Sequence, residues 1–176
     1  SIKIKVYKVA VSTNADCTNA TVVYDQSSPA ASDLASKPIL AKGSLTAASY
    51  SCVIVELSKI MTTNAIAGCT TPRNDAICPD TWQMKTIDGT NVTCSGGSGN
   101  DQRIAVYFTT LAPDYPGTRK FLPPLSSADN TSGIKIAAPV SLSNNVKAIL
   151  KINRTGLIRL TGMCAAENPT FSLTGQ

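Results

Sequence analysis

The first twelve residues, SIKIKVYKVAVS, alternate apolar and polar side chains, and the alternation changes phase partway along. Ile2, Ile4 and Val6 are interleaved with Lys3 and Lys5, which puts the apolar set on one face of a strand and the lysines on the other. From Tyr7 onward the apolar positions are Tyr7, Val9 and Val11. Successive side chains on a strand face opposite ways, so a straight, regularly paired strand cannot bury both sets on one side. Two arrangements resolve the conflict. In one, a bulge near Val6 and Tyr7, or a bend from one sheet to another, keeps both sets in the home domain. In the other, Tyr7, Val9 and Val11 stay at home while Ile2, Ile4 and Val6 leave and fill a groove on a neighbouring copy. The second is the working expectation. Lys3 and Lys5 would keep a free extension soluble until it docks, and burying three branched aliphatic side chains is worth roughly 1.5–3 kcal/mol each before ordering costs.

The rest of the chain reads as further short strands. They are ATVVYD, PILAKGSL, SYSCVIVELSKIM, TWQMKTI with TNVTC, RIAVYFTTL, GIKIAAPVSLS, VKAILKINR, GLIRLTG and PTFSLTG. Turn signals separate them: Asp88-Gly89, Asn144-Asn145, the Gly-rich SGGSGN and several prolines. A spacing of about 8 to 12 residues predicts an all-β fold with antiparallel sheets facing each other in a sandwich. SCVIVEL is apolar on both faces and is the expected central strand. VKAILKIN sets Val146, Ala148, Leu150 and Ile152 against Lys147 and Lys151, which predicts one wet face. Only SSPAASDLASKPI, bracketed by Pro29 and Pro38, suits a short helical turn. The longest weakly patterned stretch is the Pro-rich loop from Leu111 to Gly133, and loops of that length in a compact domain are often functional. No repeat or long linker divides the chain, so residues 1–176 read as one domain with 1–6 as a strand extension.

Composition narrows the class. Aromatic residues make up 5% and charged residues 15%, which suits a polar-surfaced β protein better than a charged helical one. The net charge is +5, but Lys3, Lys5, Lys8, Lys135, Lys147, Lys151, Arg154 and Arg159 alternate with apolar residues instead of forming a patch interleaved with aromatics. They read as solvated strand faces, which disfavours nucleic acid as a partner. No apolar run approaches the roughly 20 residues of a membrane helix.

The cysteines, Cys17, Cys52, Cys69, Cys78, Cys94 and Cys164, are even in number, and none forms C-x-x-C. With no His in the chain, disulfides are a better reading than a zinc site. They place the protein outside a reducing cytosol, with a targeting segment removed ahead of Ser1. Several pairings are open. Cys17 with Cys52 is favoured because each lies beside a strong strand; Cys69 with Cys78 and Cys94 with Cys164 are weaker choices. Sequons at Asn19, Asn91, Asn130 and Asn153 are close to the number chance provides in so Asn-, Ser- and Thr-rich a chain.

Catalytic chemistry is poorly represented. The lack of His removes Ser-His-Asp and Cys-His arrangements, and SGGSGN lacks the Lys and Ser/Thr of a phosphate loop. Glu56, between Val55 and Leu57, is the one acid within an apolar strand; pairing with a Lys or Arg is the favoured reading over catalysis. The aspartates are scattered over turns, where they satisfy backbone groups, and Asn100 and Asp101 come nearest to calcium ligands. No cofactor or metal is expected. In the long loop, Tyr115, Arg119, Lys120 and Phe121 are candidate ligand-binding residues, since aromatics beside cations suit a sugar ring or a partner protein. The competing reading is that Phe121 pins the loop to the domain.

The run of short strands, the cysteines and the basic alternating start SIKIKV resemble the immunoglobulin-like subunits of extracellular fibres, in which one subunit's extended terminal strand completes the next one's sheet. GSLTAASYSCVIVEL also resembles the turn-then-strand element of uncharacterised bacterial surface lipoproteins of the sandwich type. A set of three disulfides departs from many fibre subunits and would let the sandwich stand without a borrowed strand. The resemblance implies a non-enzymatic, cell-surface structural subunit that polymerises with copies of itself, with Ile2, Ile4 and Val6 at the subunit interface. The alternative is a monomeric adhesin, binding a host glycan or protein through residues 111–133.

Overall fold

The computed structural model describes residues 2–63, 73–77, 83–93, 102–113, 119–126, 132–143, 148–153, 157–160, 163–166 and 170–175. The strands begin with β1 (Ile2–Ile4), β2 (Val6–Ser12), β3 (Thr21–Asp25), β4 (Ser32–Asp33), β5 (Ala48–Tyr50), β6 (Cys52–Ser58), β7 (Ile60–Thr63), β8 (Arg73–Ala76) and β9 (Gln83–Lys85). They continue with β10 (Asn91–Thr93), β11 (Arg103–Thr109), β12 (Ile134–Lys135), β13 (Val140–Leu142), β14 (Ala148–Asn153), β15 (Leu157–Leu160), β16 (Met163–Ala166) and β17 (Thr170–Gly175). The fold is all-β. A five-stranded sheet runs β12–β11–β6–β2–β3, a four-stranded sheet runs β4–β1–β7–β8, and β10–β9, β13–β5, β14–β17 and β15–β16 are pairs.

β6 is buried along its whole length at the middle of the larger sheet, where its two-sided apolar pattern belongs. Its core face carries Val53, Val55 and Leu57, beside Val11 of β2 and Ile104, Val106 and Phe108 of β11. Ile4, Met61, Met84, Tyr50, Val140, Leu142, Phe171 and Leu173 from the other sheet and the pairs complete the same core. The opposite face holds a smaller cluster of Ala10, Cys17, Cys52, Ile54, Ala105 and Tyr107.

The phase change at the N-terminus has a structural cause. β1 belongs to the four-stranded sheet and β2 to the five-stranded one, and the chain passes between them at Lys5. β6 and β7 make the same passage beside it, with Ser58 N donating to Lys5 O at 3.0 Å. At the bend Val6 pairs with Leu57 but Lys8 pairs with Glu56, so Tyr7 is an extra, bulged residue. The expectation that Ile2, Ile4 and Val6 leave the domain is therefore corrected. Ile4 and Val6 lie in the home core, Ile2 packs at its margin, and β1 is paired on both sides within its own chain. The sheet-to-sheet bend and the bulge operate together.

Other expectations resolve element by element. Among the described residues Leu34–Ser36 forms the one short helical turn; Asp33 caps it by accepting from Ala35 N at 3.0 Å, and Lys37 ends it in the left-handed conformation. Asp88-Gly89 makes the turn between β9 and β10, with Gly89 at φ +83° as that turn requires. PILAKGSL, expected to be a strand, has no regular structure. β12 runs parallel to β11, against an all-antiparallel expectation, and the sequence separation between Thr109 and Ile134 is long enough for the crossover that a parallel pair needs. The Asn144-Asn145 turn lies outside the described residues.

Candidate functional site

On the outer face of the large sheet, strand pairing sets Lys8 of β2, Glu56 of β6 and Ala105 of β11 in one row. Glu56 is 1% exposed; it accepts a hydrogen bond from Ile87 N at 2.9 Å and lies 3.7 Å from Arg103 Nη1. Arg103 stacks over the Tyr7 ring at 4.4 Å and donates to Ser27 O at 2.9 Å. Lys8 Nζ lies 3.3 Å from Asp88 and 3.5 Å from Asp25. Burial pulls the Lys8 ammonium down, but its hydrogen bond to Asp88 and the charges of Asp88, Asp25 and Glu56 outweigh that and hold its pKa above the ordinary lysine value. Burial first, and then the Glu56 charge, push the Tyr107 hydroxyl up to about 12.

In this arrangement Glu56 is paired with arginine, as its setting in the sequence suggests, and the Thr86–Thr90 turn is clasped to the sheet. Lys8 does not belong to a solvated face: at 8% exposure it is buried under Asp88, a residue far away in the chain. Lys3, Lys135 and Lys151 are exposed as expected. Among the described residues no group of three or more Cys, Asp or Glu side chains comes together as a metal site. Asn100 and Asp101 lie outside the described residues.

Of the candidate binding residues in the long loop, Arg119 is exposed, but Lys120 and Phe121 are buried. Phe121 meets Phe171 edge to face at 6.2 Å, and Lys120 Nζ sits 5.7 and 5.8 Å from these two rings. Burial pulls the Lys120 pKa below the ordinary lysine value. The backbone is fixed as well, with Tyr107 N donating to Lys120 O and Gly133 N to Arg119 O. This is the pinned loop, and it withdraws two of the four candidate side chains from any ligand. Tyr115 lies outside the described residues. Phe121→Ala is expected to lower stability by about 3 kcal/mol, as for other fully buried aromatic truncations. Leu125→Ala, at a position 54% exposed, is expected to change it by less than about 0.5 kcal/mol. Urea denaturation midpoints of the two variants make the check, and equal midpoints would contradict the pinning.

Cys17 and Cys52 form a disulfide. It ties the 13–20 loop over the outer face, where Thr109 Oγ1 also donates to Ala15 O. Cys69, Cys78 and Cys94 lie outside the described residues, as does the side chain of Cys164.

The feature missed by sequence reasoning is the free edge of the large sheet. Among the described residues, β3 ends the strand order and pairs with β2 alone. Val9 pairs with Tyr24 and Ala10 with Val22, which leaves Val23 as a bulged residue. The bulge lets Val23 and Tyr24, neighbours in sequence, both pack against the core, while Val22 remains 44% exposed. Beside β3 an open groove of about 360 Å³ is lined by Val11, Thr21, Val23, Leu45, Thr46 and Tyr50. Core side chains are thus reachable from outside at a sheet edge. Comparison with protein-family models, with curated proteins and with solved structures finds no match to this chain.

Proposed function

We propose that the chain is an exported, disulfide-bonded, immunoglobulin-like β-sandwich that serves as a structural subunit of a cell-surface fibre. Copies associate by strand addition, and the protein is not an enzyme. The observation that supports this reading is the β3 edge, where a strand border with no strand partner among the described residues adjoins a groove reaching core side chains. An extended strand laid there gains backbone hydrogen bonds for affinity and places alternate side chains in the groove for register. A contact between unlike surfaces that does not close into a ring builds an open filament. Ile4 and Val6 already lie in the home core and β1 is paired on both sides, so the incoming strand is another segment of the neighbouring copy. The adhesin alternative loses ground because Lys120 and Phe121 point into the domain.

The test is light scattering on the folded, disulfide-intact protein over a concentration series. Polymers are expected above a threshold concentration, and Val22→Lys on the exposed edge is expected to raise that threshold at least tenfold through charge at the added strand. A single-chain mass at every concentration would sink the reading, as would polymers indifferent to Val22→Lys.

A further inference from the structure

Residues 38–46 run past the β3 edge without regular structure. Leu40 and Leu45 pack against the core, and Tyr50 Oη donates to Thr46 O at 2.6 Å. Around these anchors the segment is outward-facing: Ile39 is 76% exposed, and Lys42, Gly43 and Ser44, between Leu40 and Leu45, are exposed too. Its tightest approach to the sheet is at Gly43. A Cβ built there would overlap the carbonyl oxygen of the bulged Val23 and lie 2.8 Å from its carbonyl carbon, well inside the roughly 3.5–4.0 Å of a normal non-bonded contact. Only glycine permits this seat. Natural sheets protect free edges with bulges, edge lysines and covering loops, and here Val23, Lys42 and residues 38–46 supply all three at one place.

We propose that residues 38–44, hinged at the Leu45 and Thr46 anchors, are a displaceable strap that gates the β3 edge. Seated, the strap blocks strand addition through Gly43 and presents Lys42 to an incoming copy of net charge +5. Lifted, it carries Lys42 away and leaves Thr21–Tyr24, which has no charged side chain, open to an extended strand of a second copy. Asp25, at the end of the strand, is already paired with Lys8. The occupant follows from the proposed self-assembly, on which this inference rests.

The experiment lifts the strap with Gly43→Ala and reads two quantities, amide hydrogen exchange at Thr21–Asp25 and the assembly threshold by light scattering. In the folded variant, exchange at the edge is expected to rise at least tenfold and the threshold to fall at least tenfold, with Val22→Lys in the same chain restoring it. Unchanged exchange in a folded Gly43→Ala chain overturns the strap, whatever assembly does. Faster exchange with an unchanged threshold, in a wild type that assembles, overturns the gating. Faster exchange with no assembly of either chain at any concentration overturns the proposed function and leaves the strap standing only as an edge cover. Should Gly43→Ala fail to fold, residues 39–42 are replaced by a protease recognition sequence and cut after folding. The two pieces stay joined through Cys17–Cys52, and the cut chain must show the same two changes or the proposal is wrong.

Discussion

Ile4→Asp, and separately deletion of residues 1–6, are expected to unfold the chain instead of releasing a folded subunit that no longer assembles. Ile4 is 1% exposed in the main core, and its strand is paired to β4 on one side and β7 on the other. Truncating a buried isoleucine costs about 2–5 kcal/mol, and a carboxylate set in the same apolar site adds the penalty of desolvating a charge. A loss of ~5 kcal/mol or more matches the lower end of the stability of an ordinary domain, about 5–15 kcal/mol. The deletion removes Val6 as well and leaves β4 and β7 without the strand between them. Lys3→Asp is the control: Lys3 is exposed on the same strand, and its change is expected to stay within about 0.5 kcal/mol. Circular dichroism and a urea titration on the three variants decide the matter. A cooperatively folded Ile4→Asp chain that has lost only assembly would restore the donated-strand arrangement.

The same residues show how far sequence carries. That residues 1–12 cannot lie in one regular strand follows from side-chain alternation, and Tyr7 is bulged at the predicted point. Alternation is silent on which chain buries Ile4, because the answer lies in β4 and β7, some thirty and sixty residues away. Cys52–Ser58 was legible as the central strand for a local reason, being apolar on both faces, and Leu34–Ser36 was legible through the prolines that bracket it, while its Asp33 cap came only with the structure. Lys8 was misread for the converse reason. Its neighbours make it a polar position on a wet face, and only the turn at Asp88 buries it.

The β3 edge was illegible for a related cause. PILAKGSL has the composition of a strand, yet Gly43 meets a bulge that depends on the pairing of β2 with β3. A close backbone approach leaves a glycine in the sequence but no sign of its partner. The pinned loop falls between these cases: Phe121 was visible as either a ligand contact or an anchor, and Phe171, fifty residues on, is what makes it the anchor.

Cys52→Ala is expected to lower stability by ~4 kcal/mol and the thermal midpoint by about 10 °C. The bridge closes a 35-residue separation, and the chain-entropy cost of leaving such a loop open in the unfolded state is about 4 kcal/mol. Two features of the folded state modify that figure in opposite directions. Cys52 is fully buried between Ser12 and Thr109 in the sheet, so its removal also opens a small void. Against it, the bridge holds a loop in which Cys17 and Asn19 adopt left-handed backbone, at φ 63° and 53°, a conformation that costs non-glycine residues and is partly relieved when the bridge is lost. Cys17→Ser breaks the same bridge but leaves the Cys52 side chain in its site, so it is expected to fall short of Cys52→Ala by about 1 kcal/mol. The paired urea midpoints separate the contributions: the shared loss reports the cross-link, and the difference reports packing at residue 52. A Cys52→Ala midpoint within experimental error of the wild type would mean that the bridge does not hold the outer face of the sheet together.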